Sequence, residues 1–131
     1  MTVFVDTSAL YALVDEDDVN HETSAAVWDT LLDAERLLTH TYVVVEISAL
    51  LQHRLGMGAA EQLHAALLPV VQVRAVDRGT HDRAVTRWRQ QARRELSLVD
   101  VTSFVVMEDL AIRSAFAFDD DFTAEGFHLA T

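Results

Sequence analysis

Four acidic residues stand against apolar sequence: Asp6 in "FVDTS", Glu46 in "VVVEIS", Asp100 in "SLVDVTS" and Asp119 in "FAFDDDF". An acid on an apolar face is costly unless something pairs with it. The chain has no lysine, since all ten basic residues are arginine, and no arginine falls inside these motifs. Carboxylates gathered without a basic partner repel one another and raise each other's pKa. A divalent cation removes that conflict, and hard oxygen donors select Mg²⁺ or Mn²⁺. Such an ion can polarise a phosphate and activate water, with a remaining carboxylate as base, which is the chemistry of phosphodiester hydrolysis. The hydroxyls of Thr7, Ser8, Thr102 and Ser103 are placed to hold the carboxylates.

These residues need a scaffold that brings distant segments together. Thr2–Val5 is β-branched and apolar and predicts a first strand, and "SALYALV" predicts a short helix capped by Thr7 or Ser8. A second helix over "NHETSAAVWDTLLDAE" and a second strand over "RLLTH" follow. In "TYVVVEISALLQHRLG" the helical spacing of Val43, Ile47, Leu50, Leu51 and Leu55 outweighs the three valines, and Gly56 supplies a stop. Helices are expected in "GAAEQLHAALLP", "DRGTHDRAVTRWRQQARRE" and "SLVDVTSFVVMEDLAIR", and strands in "VVQVRAV", "AFAFD" and "FHLA". The alternation predicts an α/β fold with a mainly parallel sheet of four to five strands. Ligands of such sheets bind beyond the carboxyl ends of the strands. Asp6 closes the first expected strand and Asp119 the fourth, so both are expected at one rim.

The formal net charge of −11 excludes passive nucleic-acid binding through a basic surface, though not an enzyme that meets phosphates through bound cations. The absence of cysteine removes disulfides and thiolate metal sites. No apolar stretch is long enough to span a bilayer and none has the form of a signal peptide, so a soluble cytoplasmic protein of one domain, residues 1–131, is expected.

"VFVDTSAL", "VVVEISALL", "LSLVDVTSF" and "AFAFDDDF" resemble the four acidic motifs of PIN-domain ribonucleases, and the size resembles that of VapC-type toxins of type II toxin–antitoxin modules. The resemblance implies a three-layer α/β/α sandwich and Mg²⁺- or Mn²⁺-dependent endonucleolytic cleavage of RNA, often tRNA or rRNA. It also implies inhibition by a small antitoxin and assembly as a homodimer or a toxin–antitoxin hetero-oligomer. The matching acids are Asp6, Glu46, Asp100 and Asp119, with Asp121 as a further acidic position. Asp6 and Asp100 would be the primary metal ligands. Either Asp119 or Asp121 could carry the last role, with Asp119 favoured.

Each motif also has a plainer explanation. Asp6 and Asp100 are each suited to be helix caps, and Glu46 to be a half-exposed helix residue. Asp15–Asp18 reads as a solvated loop, Asp120 as solvent-facing, Glu108 and Asp109 as the wet side of their helix, and His21 as structural. Arg83, Arg87 and Arg94 could share a helix face, either paired with acids or tracking phosphates; Trp28 and Trp88 read as packing residues ahead of base-stacking platforms, with Trp88 between Arg87 and Arg89 as a candidate contact. The rival functions are an inactive PIN-like binding module and a phosphoryl-transfer domain of the haloacid dehalogenase or receiver type. The second normally needs a lysine, and "VDTS" lacks the second acid of its nucleophile motif.

Overall fold

A computed structural model describes residues Met1–Thr131. Thr2–Val5 forms β1, buried from Val3 onward, and the chain turns at once into α1 (Thr7–Val14). After the acidic loop come α2 (His21–Ala34) and β2 (Arg36–His40), which is buried from Leu37 onward. Helix α3 (Thr41–Leu55) follows β2 without a loop, as its apolar spacing predicts, and stops at Gly56, whose φ of 95° suits a residue without a side chain.

The expected single helix after Gly56 is instead three pieces. Helix α4 (Met57–Gln62) widens into a π turn over Leu63–Leu67 and tightens into a 3₁₀ turn over Leu68–Val70. Pro69 cannot donate to a continued helix, so the ladder re-registers before it. Strand β3 (Gln72–Arg74) is short and fully exposed. Helix α5 (Arg78–Gln91) is capped by Asp77, and α6 (Leu98–Asp109) is buried without a break from Val101 to Met107. Strand β4 (Ser114–Phe116) ends three residues before Asp119, so Asp119 lies on the segment beyond the strand and not at its last position. A short helix, α7 (Asp121–Ala124), and strand β5 (His128–Leu129) follow.

All five strands are parallel, in the order β3-β2-β1-β4-β5. The seven helices flank this sheet, which gives the expected three-layer α/β/α sandwich. The strand order reverses direction between β1 and β4, and that is where parallel α/β sheets form a crevice. Phe4, Phe104, Phe116 and Phe122 have no exposed surface. Phe104 meets Phe122 edge-on at 5.1 Å, and Phe122 lies 6.2 Å from Phe4. This aromatic contact fixes α7, whose first residue is Asp121, against the sheet.

Candidate active site

Val5 is the last residue of β1, and Asp6 is the N-cap of α1. Its Oδ2 accepts the Ser8 amide at 3.2 Å and the Ser8 hydroxyl at 2.7 Å. The same hydroxyl accepts the Phe118 amide at 3.0 Å, and the Asp6 amide donates to the Phe116 carbonyl at 3.0 Å. The end of β1 is thereby tied to the segment that carries Asp119.

Asp100 is not the cap of α6 but its third residue. Ser97 is the cap, and the two form a reciprocal box: Oδ2 of Asp100 accepts the Ser97 amide at 3.1 Å and its hydroxyl at 2.9 Å, while Ser97 Oγ accepts the Asp100 amide at 3.1 Å. Asp119 Oδ1 accepts the Asp121 amide at 2.9 Å. Asp121 Oδ1 accepts from Arg93 at 3.2 Å. Each of these four carboxylates thus has one oxygen fixed by the protein and a second that accepts no protein hydrogen bond. Glu46, half-buried on α3, accepts none at either oxygen.

The acids form one electrostatic group. Asp100, Asp119 and Asp121 can each bring one carboxylate oxygen within 4.8 Å of the others. Burial pushes the Asp6 carboxyl up to about 7, and the charges of Asp100 and Asp119 add to the rise against the Ser8 hydrogen bonds. Burial also raises Asp100, with Glu46 and Asp121 contributing, and it raises Asp119, with Asp121 and Asp100 contributing. Asp6, Asp100, Asp119 and Asp121 therefore meet at the β1/β4 crevice, and Glu46 acts on the group through its charge on Asp100. The tightest group is Asp100, Asp119 and Asp121, and Asp6 borders it.

Three local expectations are corrected. Of the hydroxyls expected to hold carboxylates, only Ser8 does so. Thr102 and Ser103 lie inside α6 and donate to the carbonyls of Leu98 and Val99 one turn back. The Thr7 hydroxyl is buried with no partner. The residue that does hold Asp100 is Ser97, which the sequence signals through the Ser-x-x-Asp spacing of a capping box. The cluster also has one basic neighbour, Arg93 on Asp121, which lies outside the acidic motifs.

Below the site, His40 ends β2 and caps α3. Its Nδ1 accepts the amides of Tyr42 at 3.2 Å and Val43 at 3.4 Å, so Nε2 carries the proton donated to Ser103 Oγ at 2.8 Å. Burial lowers its pKa to about 4. His21 Nδ1 pairs with the Ala12 carbonyl at 2.7 Å, in keeping with a structural role. Asp120, Glu108 and Asp109 are exposed as expected. Arg83 pairs with Asp109, and Arg87 with Glu108 and Glu125, whereas Arg94 lies past the end of α5 and shares no helix face with them.

The donor set suits a hard cation: carboxylate oxygens, one free on each of four acids, whose mutual repulsion the protein relieves only through Arg93. No helix is long and apolar enough to cross a membrane.

Residues 3–126 match the PIN domain family, and the chain belongs to it. Among its relatives is the 23S rRNA-specific endonuclease VapC20 of Mycobacterium tuberculosis, 38% identical over 128 residues that make up 95% of each chain. The crystal structure of VapC20, a sarcin–ricin loop cleaving toxin, superposes with a TM-score of 0.87 at 36% identity over 95% of each chain. VapBC2 from Rickettsia felis (TM-score 0.74, 8% identity, 98% of this chain and 97% of that one) and FitAcB from Neisseria gonorrhoeae (0.71, 15%, 98% and 96%) share the fold.

Proposed function

We propose that this protein is a metal-dependent endoribonuclease toxin of a toxin–antitoxin module, with ribosomal RNA as the favoured substrate and a small antitoxin as its inhibitor. The observation that carries the reading is the set of four carboxylates held by one oxygen and free at the other, at the crevice of a PIN-family sheet. The likeness to VapC20 across almost the whole chain supports the substrate class.

Asp6, Asp100, Asp119 and Asp121 are the residues that would hold Mg²⁺ or Mn²⁺. A cation bound there supplies positive charge for the scissile phosphate and acidifies water. Ser8 and Ser97 keep Asp6 and Asp100 from turning toward each other or away. Glu46, with no protein partner, accepts a proton from the attacking water at a carboxylate oxygen. Both Asp119 and Asp121 serve: the Asp119 carboxylate caps the Asp121 amide, and that orients the second acid.

The test is incubation of the purified full chain with ribosomal RNA, with and without Mn²⁺. Discrete cleavage that needs the ion and is lost in Asp100→Asn is expected, together with growth arrest on expression in a bacterial host that the same substitution relieves. Intact RNA with the native chain in the presence of Mn²⁺ and Mg²⁺ would overturn the reading.

A further inference from the structure

A cavity of about 640 Å³ opens beside the acids, where α5 ends and α6 begins. Trp88, Arg89, Arg93 and Arg94 line one part of it, and Ser97 and Leu98 another. Two of these residues also touch the acidic cluster: Arg93 holds Asp121 and Ser97 holds Asp100. The cavity and the acids therefore share a wall.

Two features of its lining bear on what it could hold. Trp28 is 7% exposed and belongs to the core, whereas Trp88 is 39% exposed. In addition, among the six arginines of α5 and the turn after it, Arg78, Arg83, Arg87 and Arg93 each have an acidic partner, whereas Arg89 and Arg94 are exposed and have none. In a protein with twenty-one acidic residues against ten basic ones, two unpaired guanidinium groups beside an exposed indole do not arise from a shortage of counter-ions.

We infer that this cavity is a substrate subsite that stacks one unpaired base of the RNA on Trp88 and holds its flanking phosphates with Arg89 and Arg94. The inference rests on the nuclease reading and deepens it. An indole face accepts any base, and guanidinium groups on either side of it meet the backbone, which is how single-stranded nucleic acid is held without base-pair readout. An acidic protein needs such a local patch to bring a polyanion to a carboxylate site. Trp88 and its neighbouring arginines are therefore binding residues for a nucleotide beside the carboxylates.

The experiment uses the full chain with Trp28→Phe, so that Trp88 is the only indole, and with Asp100→Asn to prevent cleavage. Titration with a short single-stranded oligoribonucleotide should quench Trp88 fluorescence. Without Trp28→Phe, Trp88→Leu should weaken the Kd about tenfold, the loss of one stacked base, and Trp88→Phe should restore it to within about twofold. Arg94→Ala, which removes no ion pair, should weaken binding and flatten its salt dependence with an unchanged melting temperature. In the cleavage-competent chain Trp88→Leu should raise KM and leave kcat within about twofold. Absence of quenching, or an unchanged Kd in both Trp88→Leu and Arg94→Ala, overturns the subsite. So does a Trp88→Leu chain that keeps its RNA affinity but escapes inhibition by an antitoxin, since the cavity would then be a protein-docking groove. A native chain that cleaves RNA while these variants behave as native sinks the subsite alone. A native chain that cleaves no RNA sinks the nuclease reading.

Discussion

The hydroxyl of Ser8 donates to Asp6 at 2.7 Å while accepting the Phe118 amide at 3.0 Å, so one side chain fixes a carboxylate just past the first strand to the segment bearing two more. Ser8→Ala leaves the Phe118 N–H without that partner and lets the Asp6 carboxylate rotate. Stability should fall by about 1–2 kcal/mol. Cleavage should fall by roughly 10- to 100-fold, the usual loss when a group orienting a ligand is removed. Thermal melts and initial rates on one RNA check both.

Asp6 carries a pH signature of its own. Its folded-state pKa of about 7 lies above the usual value of 3.8, so the folded chain holds the proton more tightly than the unfolded one. The stability this contributes is complete below pH 3.8 and is lost as pH rises toward and through 7. Asp6→Asn keeps an oxygen for the Ser8 cap but cannot ionise. Without metal, the variant should melt with the native chain near pH 4 and be more stable at pH 8, on the order of 2–4 kcal/mol. Added Mn²⁺ should stabilise the native chain through RT ln(1 + [L]/Kd) and do far less for the variant. Superimposed melting curves at pH 8 would contradict the buried charge.

His40 gives the opposite slope. Its folded-state pKa of about 4 lies below the usual 6.5, so the unfolded chain takes the proton first. The stability it contributes is complete above pH 6.5 and is lost as pH falls toward 4. His40→Asn keeps an acceptor for the Tyr42 and Val43 amides but removes the titration and the Ser103 link. The native advantage over this variant should shrink between pH 6.5 and 4, by on the order of 2–3 kcal/mol. Urea unfolding across that range measures it.

Ser97→Ala removes the side-chain cap of α6 and the two hydrogen bonds of its hydroxyl with Asp100, leaving only the Ser97 backbone amide on Asp100 Oδ2. A loss of about 1 kcal/mol is expected from the cap. Ser97→Thr keeps a hydroxyl and should recover both stability and rate. Recovery of stability without recovery of rate would separate the cap from the positioning of Asp100.

The sequence revealed the fold well, because strands and helices alternate and most helices carry an apolar stripe. It revealed less where the chain departs from regular periods. Helix α7 is four residues long, too short for any periodicity, and its position depends on Phe122 meeting Phe104 and Phe4, contacts between distant segments. The π turn before Pro69 likewise leaves no pattern of its own. The acids could be named because each interrupts an apolar run. Their supports divided: Ser97 was signalled by its spacing to Asp100, but Ser8 acting on Phe118 and Arg93 reaching Asp121 are meetings that no local motif encodes. The hydroxyls inside α6 misled because a helix-interior Ser or Thr can always satisfy itself on its own backbone.

The acids come from the turn between β1 and α1, from α3, from α6 and from the segment after β4, spread from residue 6 to residue 121. During synthesis the earlier segments can fold while the later ones are still inside the ribosome. A nascent chain at that stage carries Asp6 and Glu46 but lacks Asp100, Asp119 and Asp121, and the Asp6 amide and the Ser8 hydroxyl have not yet met Phe116 and Phe118. On the proposed function, such a chain has no assembled cation site, so the ribosome making it would not meet an active nuclease until residue 121 has emerged and docked. On that reading, latency during translation would follow from the order in which the acids are encoded.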